Sequence, residues 1–212
     1  MYDGAARVEL SGATTANWVA KTANLLVDSL GGPDPVGLLL PLHWQTVALL
    51  LATVSTGAEV VLAPDAPGLA GCAAAFVLTA DVPAAFDAGV DDVLALSGHP
   101  LGAPAGPLPA MALDYAQEVP SHGDHFGGPA PRAARITISG RPAAPVGDLA
   151  SGDRVLTTLD PADPIGAGVL LAALAAGAGL VLLRSGDAAA VATAERVTAT
   201  AGTAVAGLVR LA

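Results

Sequence analysis

One phrase occurs twice in this chain, and it restricts the fold more than any other feature. A short apolar run ends at Pro41 in "VGLLLP", the stretch "HWQTVALLLATVST" follows, Gly57-Ala58 closes it, and "EVVLAP" returns. Later "RVLTTLDP" ends at Pro161, "GAGVLLAALAA" follows, Gly177-Ala178 closes it, and "GLVLLRS" returns. Sixteen positions separate proline from glycine in both copies. Short runs that are apolar throughout and bounded by proline or glycine read as strands buried on both faces, and the stretches between them have helical length. Each phrase is therefore expected to be a β-α-β unit, with parallel strands and a helix packed across them. In an alanine-rich chain any two such units look alike, so the pattern speaks for architecture and leaves a shared origin of the copies open.

The other segments fit around these units. "YDGAARVEL" alternates about Asp3-Gly4 and reads as a small hairpin. Ser11 to Leu30 reads as a helix with Trp18, Val19, Leu25, Leu26 and Leu30 apolar and a stop at Gly31-Gly32. "AAAFVLTA" and "DDVLALSG" read as strands, with "PAAFDAG" a short helix or turn between them. "HPLGAPAGPLP" reads as a linker, "AMALDYAQEV" as a helix, "PSHGDHFGGPAPRA" as a loop and "ARITISG" as a strand. "AAAVATAERVTATAG" reads as a helix and "TAVAGLV" as the last strand. The expected fold class is α/β: two lobes of mostly parallel sheet flanked by helices. The first lobe is placed at 1–105, a linker and helix at 106–133, and the second lobe at 134–212.

Charge narrows the partners. A formal net charge of −10 argues against a nucleic-acid backbone or an anionic membrane surface. The single cysteine, Cys72, excludes an intrachain disulfide and a cysteine-based zinc site, and reads as a small buried hydrophobe. Ile165 to Leu183 holds nineteen uncharged residues in a row and imitates a membrane span, but Gly177-Ala178-Gly179 interrupts it. A buried helix, a glycine stop and a buried strand account for it better. The opening "MYDGAARVEL" has neither the basic start nor the apolar core of a signal peptide, so a cytoplasmic location is expected.

The stretch "ARITISGRP", Ala134 to Pro142, drops from a β-branched run into Ser-Gly and a basic residue, as phosphate-binding loops do. With it, the order of motifs resembles the N-terminal region of the adenylate-forming superfamily: acyl-CoA synthetases, peptide-synthetase adenylation domains and luciferases. The resemblance rests on "TTANWVAKTANLLVDSLG", on "VGLLLPLHWQTVALLLATVSTGAEVVLAP", and on "GDRVLTTLDPADPIGAGVLLAALAAGAGLVLL" after the phosphate-loop position. The chain is also similar to a family of short stand-alone proteins from high-GC bacteria, related to that superfamily and without an assigned function.

The resemblance implies a Thr/Ser/Gly-rich loop ending in Pro-Lys, whose amides and lysine offset the charge of ATP phosphates. This chain has only Thr137, Ser139, Gly140, Arg141 and Pro142 there. The family's aromatic-histidine pair after a proline is replaced by Ala162, Asp163 and Pro164 after Pro161. The family's Tyr-Gly-x-Thr-Glu segment, ribose-binding aspartate and C-terminal domain with its catalytic lysine have no counterpart within these 212 residues. The one lysine, Lys21, matches no catalytic position.

Candidate ligand-binding residues are Thr137, Ser139, Gly140 and Arg141, as a remnant anion loop or a plain strand exit. His43 and Trp44 join them at the end of the first buried strand, where open α/β sheets bind ligands; a tryptophan filling a gap at the start of a helix is the competing reading. His122, Asp124 and His125 raise a metal hypothesis that lacks a third nitrogen or sulfur ligand, and a polar loop is the default. No catalytic residue, metal or cofactor is assigned. The expected function is that of a catalytically inactive relative that binds a protein partner, a second copy of itself or, weakly, a small molecule. The alternative is an adenylate-forming enzyme completed in trans by another chain.

Overall fold

The computed structural model describes residues 1–128, 133–138 and 140–211. A hairpin opens the chain: β1 (Tyr2–Asp3) and β2 (Ala6–Arg7) pair antiparallel across Gly4, whose φ is +58°. Helix α1 (Gly12–Asn24) starts at Ser11, whose hydroxyl accepts from the Thr14 amide, and runs into a π-helical turn at Leu25–Ser29 before Gly31 and Gly32 end it.

The first repeat unit then forms as read. Strand β3 (Val36–Leu39) leads to α2 (Trp44–Thr56) and back to β4 (Val60–Leu62), which pairs with β3 in parallel. Gly57 caps the helix at φ +84°, a left-handed conformation in which a side chain would be strained. The chain continues through β5 (Ala74–Leu78), α3 (Val82–Asp87) and β6 (Asp92–Leu96). A two-residue strand β7 (Leu113–Asp114) and one turn of helix α4 (Tyr115–Glu118) follow, then β8 (Ile136–Ile138). The second unit is β9 (Arg154–Thr157), α5 (Pro164–Ala176) and β10 (Gly179–Ser185), again parallel, with Gly177 capping α5 at φ +68°. Helices α2 and α5 both have 13 residues and lie 120 positions apart. Helix α6 (Ala188–Glu195) and strands β11 (Ala199–Ala201) and β12 (Val209–Arg210) complete the chain.

Two six-stranded sheets result, ordered β7-β6-β5-β3-β4-β8 and β12-β11-β9-β10-β1-β2. Side chains alternate between the faces of the first sheet. Leu38, Phe76 and Leu94 pack with Leu49 and Leu50 of α2, while Ala75, Val77 and Val93 pack with Val82 and Ala85 of α3. Both faces are covered, which is why these strands are apolar throughout. The two lobes share core: Leu42, Trp44 and Val47 cluster with Leu170 and Leu182. Ile165 to Leu183 is split into helix and strand by Gly177, and among the described residues no helix is long and apolar enough to cross a membrane.

Three expectations need correction. The division at residue 134 does not follow the sheets. Strand β8 pairs with β4 in the first sheet, and β1, at the start of the supposed first lobe, pairs with β10 in the second. Polar side chains accompany the β8 pairing: Arg135 forms ion pairs with Asp34 (2.6 Å) and Glu59 (3.7 Å), and Thr137 donates to Glu59 at 3.1 Å. The helix expected over "AMALDYAQEV" is confined to Tyr115–Glu118, because Leu113 and Asp114 pair with β6 and the Asp114 carboxylate caps the turn through the Ala116 amide. The last helix stops at Glu195, where Arg196 turns left-handed at φ 53°, and Ala199–Ala201 pairs with β9. The β-branched Val197, Thr198 and Thr200 favour that strand over a longer helix.

Candidate functional site

In the first sheet the chain passes from β3 to β4 on one side, then to β5 on the other. The carboxyl ends of β3 and β5 thus form a topological switch point, the usual place for a ligand crevice. His43 and Trp44 stand there, and the crevice is filled. His43 is 3% exposed and Trp44 8%. His43 caps α2, its Nδ1 accepting from the Gln45 amide at 3.1 Å, while its buried Nε2 has no hydrogen-bond partner among the described residues. Burial pushes its pKa down to about 4, with the Arg184 charge acting in the same direction. Trp44 donates its indole N–H to the Pro100 carbonyl at 2.8 Å and packs edge-on against Trp18, with ring centroids 5.2 Å apart. Gly102, at φ +69°, brings the following loop against Trp44 and Gln45; a Cβ there would lie 2.9 Å from Gln45 Nε2. The space left beside His43 is about 10 Å³, room for one water at most.

The remnant-loop candidates lie at the end of β8, and β4 separates them from β3 and His43. Thr137 is half-buried and its hydroxyl is spent on Glu59. Gly140 is exposed at φ +74°. The Ile138 amide donates to the Arg141 carbonyl at 2.7 Å, and the Arg141 amide returns to the Ile138 carbonyl at 2.9 Å. The Arg141 guanidinium is exposed and has no ion pair among the described residues. Ser139 lies outside the described residues.

Lys21 is half-buried and donates to the carbonyls of Pro120 and His122. With Asn24, which donates to the carbonyls of Gly123 and His125 at 2.8 and 3.0 Å, it ties the loop at 120–125 to α1. That loop contains the two histidines of the metal hypothesis. Among the described residues no group of three or more His, Cys, Asp or Glu side chains is placed to hold a metal ion. Cys72 is buried, and burial pushes its thiol up to about 11.

A second opening lies elsewhere and had no sequence signal. A cavity of about 750 Å³ is bounded by α1, α2, the 124–126 loop, the segment after the opening hairpin and the second unit's helix-to-strand turn. Its walls come from parts of the chain distant in sequence, so no local motif marks it.

Similarity places these features in a family. The chain is 41% identical over 199 residues to the TIGR03089 family protein of Mycobacterium tuberculosis, covering 88% of this chain and 82% of the relative. The chain belongs to that family. No family model matches it. Among solved structures, an acyl-CoA synthetase of Brucella canis superposes with a TM-score of 0.69 at 19% identity, over 92% of this chain and 42% of that one. The N-terminal domain of FACL13 from Mycobacterium tuberculosis gives 0.67 at 16% identity, over 92% and 56%. The fold is that of the N-terminal subdomains of acyl-CoA synthetases, and the chain spans roughly half the length of those proteins or less.

Proposed function

We propose that the protein is a catalytically inactive, cytoplasmic relative of the acyl-CoA synthetases that acts by binding, with a small molecule or a protein as partner. One observation carries this reading: the reciprocal backbone pair between Ile138 and Arg141. Phosphate loops work because several amides point outward and converge on one anion. Here the 138 and 141 amides point at each other's carbonyls. The other requirement, a lysine charge, is not met at this place, because the only lysine holds carbonyls of the 120–125 loop. With those two amides turned inward and Arg141 in place of a lysine, charge developing on a transferred phosphate has less to offset it.

ATP–pyrophosphate exchange tests the reading, across a panel of aliphatic and aromatic carboxylic acids. The expected result is no exchange above a no-enzyme control. Exchange that depends on the carboxylic acid would overturn it.

A further inference from the structure

We propose that the 750 Å³ cavity is a binding site for a neutral or cationic amphiphile with a hydrocarbon body. The inference rests on the ligand-binding reading above and names where the ligand sits and what it is. The volume falls in the range of small-molecule pockets, roughly 300–1,000 Å³. Its walls are mostly apolar: Val19 from α1, Trp44 and Leu51 from α2, and Leu174 and Leu180 from the second unit, with Thr15 and Ser55 the polar side chains of the two helices. Val19, Leu51, Leu174 and Leu180 remain half-exposed, so an apolar guest would remove them from water. The space exists because α1 turns Gly12, Ala16 and Ala20 toward it, three small residues at four-residue spacing.

The polar edge selects the head group. Asp124 and His125 line the cavity and are exposed, so they stand at its solvent side. No lysine or arginine lines it among the described residues, and the whole chain carries −10. Met1 also lines the cavity, but its α-ammonium is engaged by the Val8 carbonyl at 2.7 Å. At the solvent edge a carboxylate or phosphate head would meet the Asp124 carboxylate and no lysine or arginine, whereas an amine or hydroxyl head could donate to Asp124. Walls from both lobes meet at the cavity, so a guest would also join the lobes and raise the melting temperature.

The test uses the full chain and its own reporters. Trp44 lines the cavity, Trp18 packs against Trp44, and the chain has no other tryptophan. Intrinsic fluorescence is titrated with octylamine, decylamine, 1-decanol and decanoate below their micelle thresholds, and calorimetry gives the stoichiometry. The proposal expects one saturable site for decylamine and decanol and weaker binding of decanoate. Each added methylene should tighten binding about fourfold, the equivalent of about 0.8 kcal/mol. Ala16→Phe, which fills the cavity from an exposed helix position, should weaken decylamine at least tenfold. Ala13→Phe, exposed on the same helix and outside the lining, should not.

Decanoate binding as tightly as decylamine, or affinity indifferent to chain length, would overturn the assignment. So would binding that survives Ala16→Phe, or concentration-dependent dimerisation lost in that variant, which would make a second copy the occupant. If Ala16→Phe misfolds by circular dichroism, the chain-length series on the unaltered protein still decides. Pyrophosphate exchange is read independently of alkyl binding, so failure here leaves the inactive-relative reading standing, and the reverse also holds.

Discussion

Ile138 and Arg141 exchange both of their backbone hydrogen bonds, at 2.7 and 2.9 Å, where the strand β8 ends. The pairing leaves the Arg141 guanidinium as the one fixed cation offered by the 137–141 segment. A single charge-assisted contact contributes roughly 1.5–3 kcal/mol, too little to hold a nucleotide tightly once ordering costs are counted. ATP is therefore expected to bind with a Kd of about 1 mM or weaker, and Arg141→Ala should weaken what binding there is. Calorimetry that finds micromolar ATP binding unaffected by Arg141→Ala would place a nucleotide site elsewhere.

His43 should make the fold sensitive to mild acid. Its ring is buried and neutral, with a folded pKa of about 4 against 6.5 for an unperturbed imidazole. A depressed folded value means that the unfolded state takes up the proton first. The stability is present above about pH 6.5 and declines as the pH falls toward 4, by about 3 kcal/mol in all. His43→Asn keeps an acceptor for the Gln45 amide at the cap and removes the titration. Urea denaturation from pH 7.5 to 4 should show the decline in the parent and a shallower one in the variant. Parallel curves would mean that His43 does not titrate on unfolding.

The two β-α-β units were legible because each is written locally: an apolar run, a proline, a helix start and a glycine end. His43 and Asp163 cap the two helices, and Gly57 and Gly177 close them, at matching positions. Sheet membership was not legible for β1 or β8. Parallel strands find partners far away in sequence, and Ile136-Thr137-Ile138 carries no sign of which edge it joins; the ion pairs of the preceding Arg135 with Asp34 and Glu59 are visible only in three dimensions. His43 and Trp44 were picked out from their place after the first buried strand, with gap filling by the tryptophan as the competing reading; that the loop holding Pro100 and Gly102 covers them was not legible. Ser139 remains outside the described residues.

Glu195 holds the opening hairpin onto the second lobe. Its carboxylate accepts from the Tyr2 hydroxyl at 2.6 Å, from Arg7 at 2.9 Å and from Arg154 at 2.8 Å, and its side chain is only 9% exposed. The Tyr2 hydroxyl, then Arg7, holds the carboxyl below its ordinary value against the opposing effect of burial. Because both arginines are more than 40% exposed, the network is worth less than a fully buried pair. Glu195→Ala should cost about 2 kcal/mol at pH 7. A depressed folded pKa means that this contribution is lost as the pH falls through it, so the gap to the parent should narrow in acid. Hydrogen exchange at residues 2–8 should rise in the variant; unchanged protection there would show that the hairpin is held by its strand pairing with β10 alone.

Gly166 and Gly168 should be irreplaceable, although helix propensity alone says the opposite. In an ordinary helix, glycine to alanine gains about 0.5–1 kcal/mol. On α5, a Cβ at Gly166 would run into the Asp160 carbonyl oxygen, and one at Gly168 into that of Ala144. Both obstacles are backbone, so neither can swing aside. The second carries more structure, because Ala144 also donates its amide to the Pro164 carbonyl at 2.8 Å, and Val146 and Leu149 pack into the second lobe's core. The segment after Arg141 is thereby laid across α5. Alanine at either position should cost about 1–3 kcal/mol in chemical denaturation. Gly12→Ala, on α1 with nothing within 4 Å of the added methyl, should be neutral or stabilise by about 0.5 kcal/mol. Gly168→Ala should also raise hydrogen exchange at residues 142–149. If Gly166→Ala and Gly168→Ala both stabilise as Gly12→Ala does, the close approach of this segment to α5 is wrong.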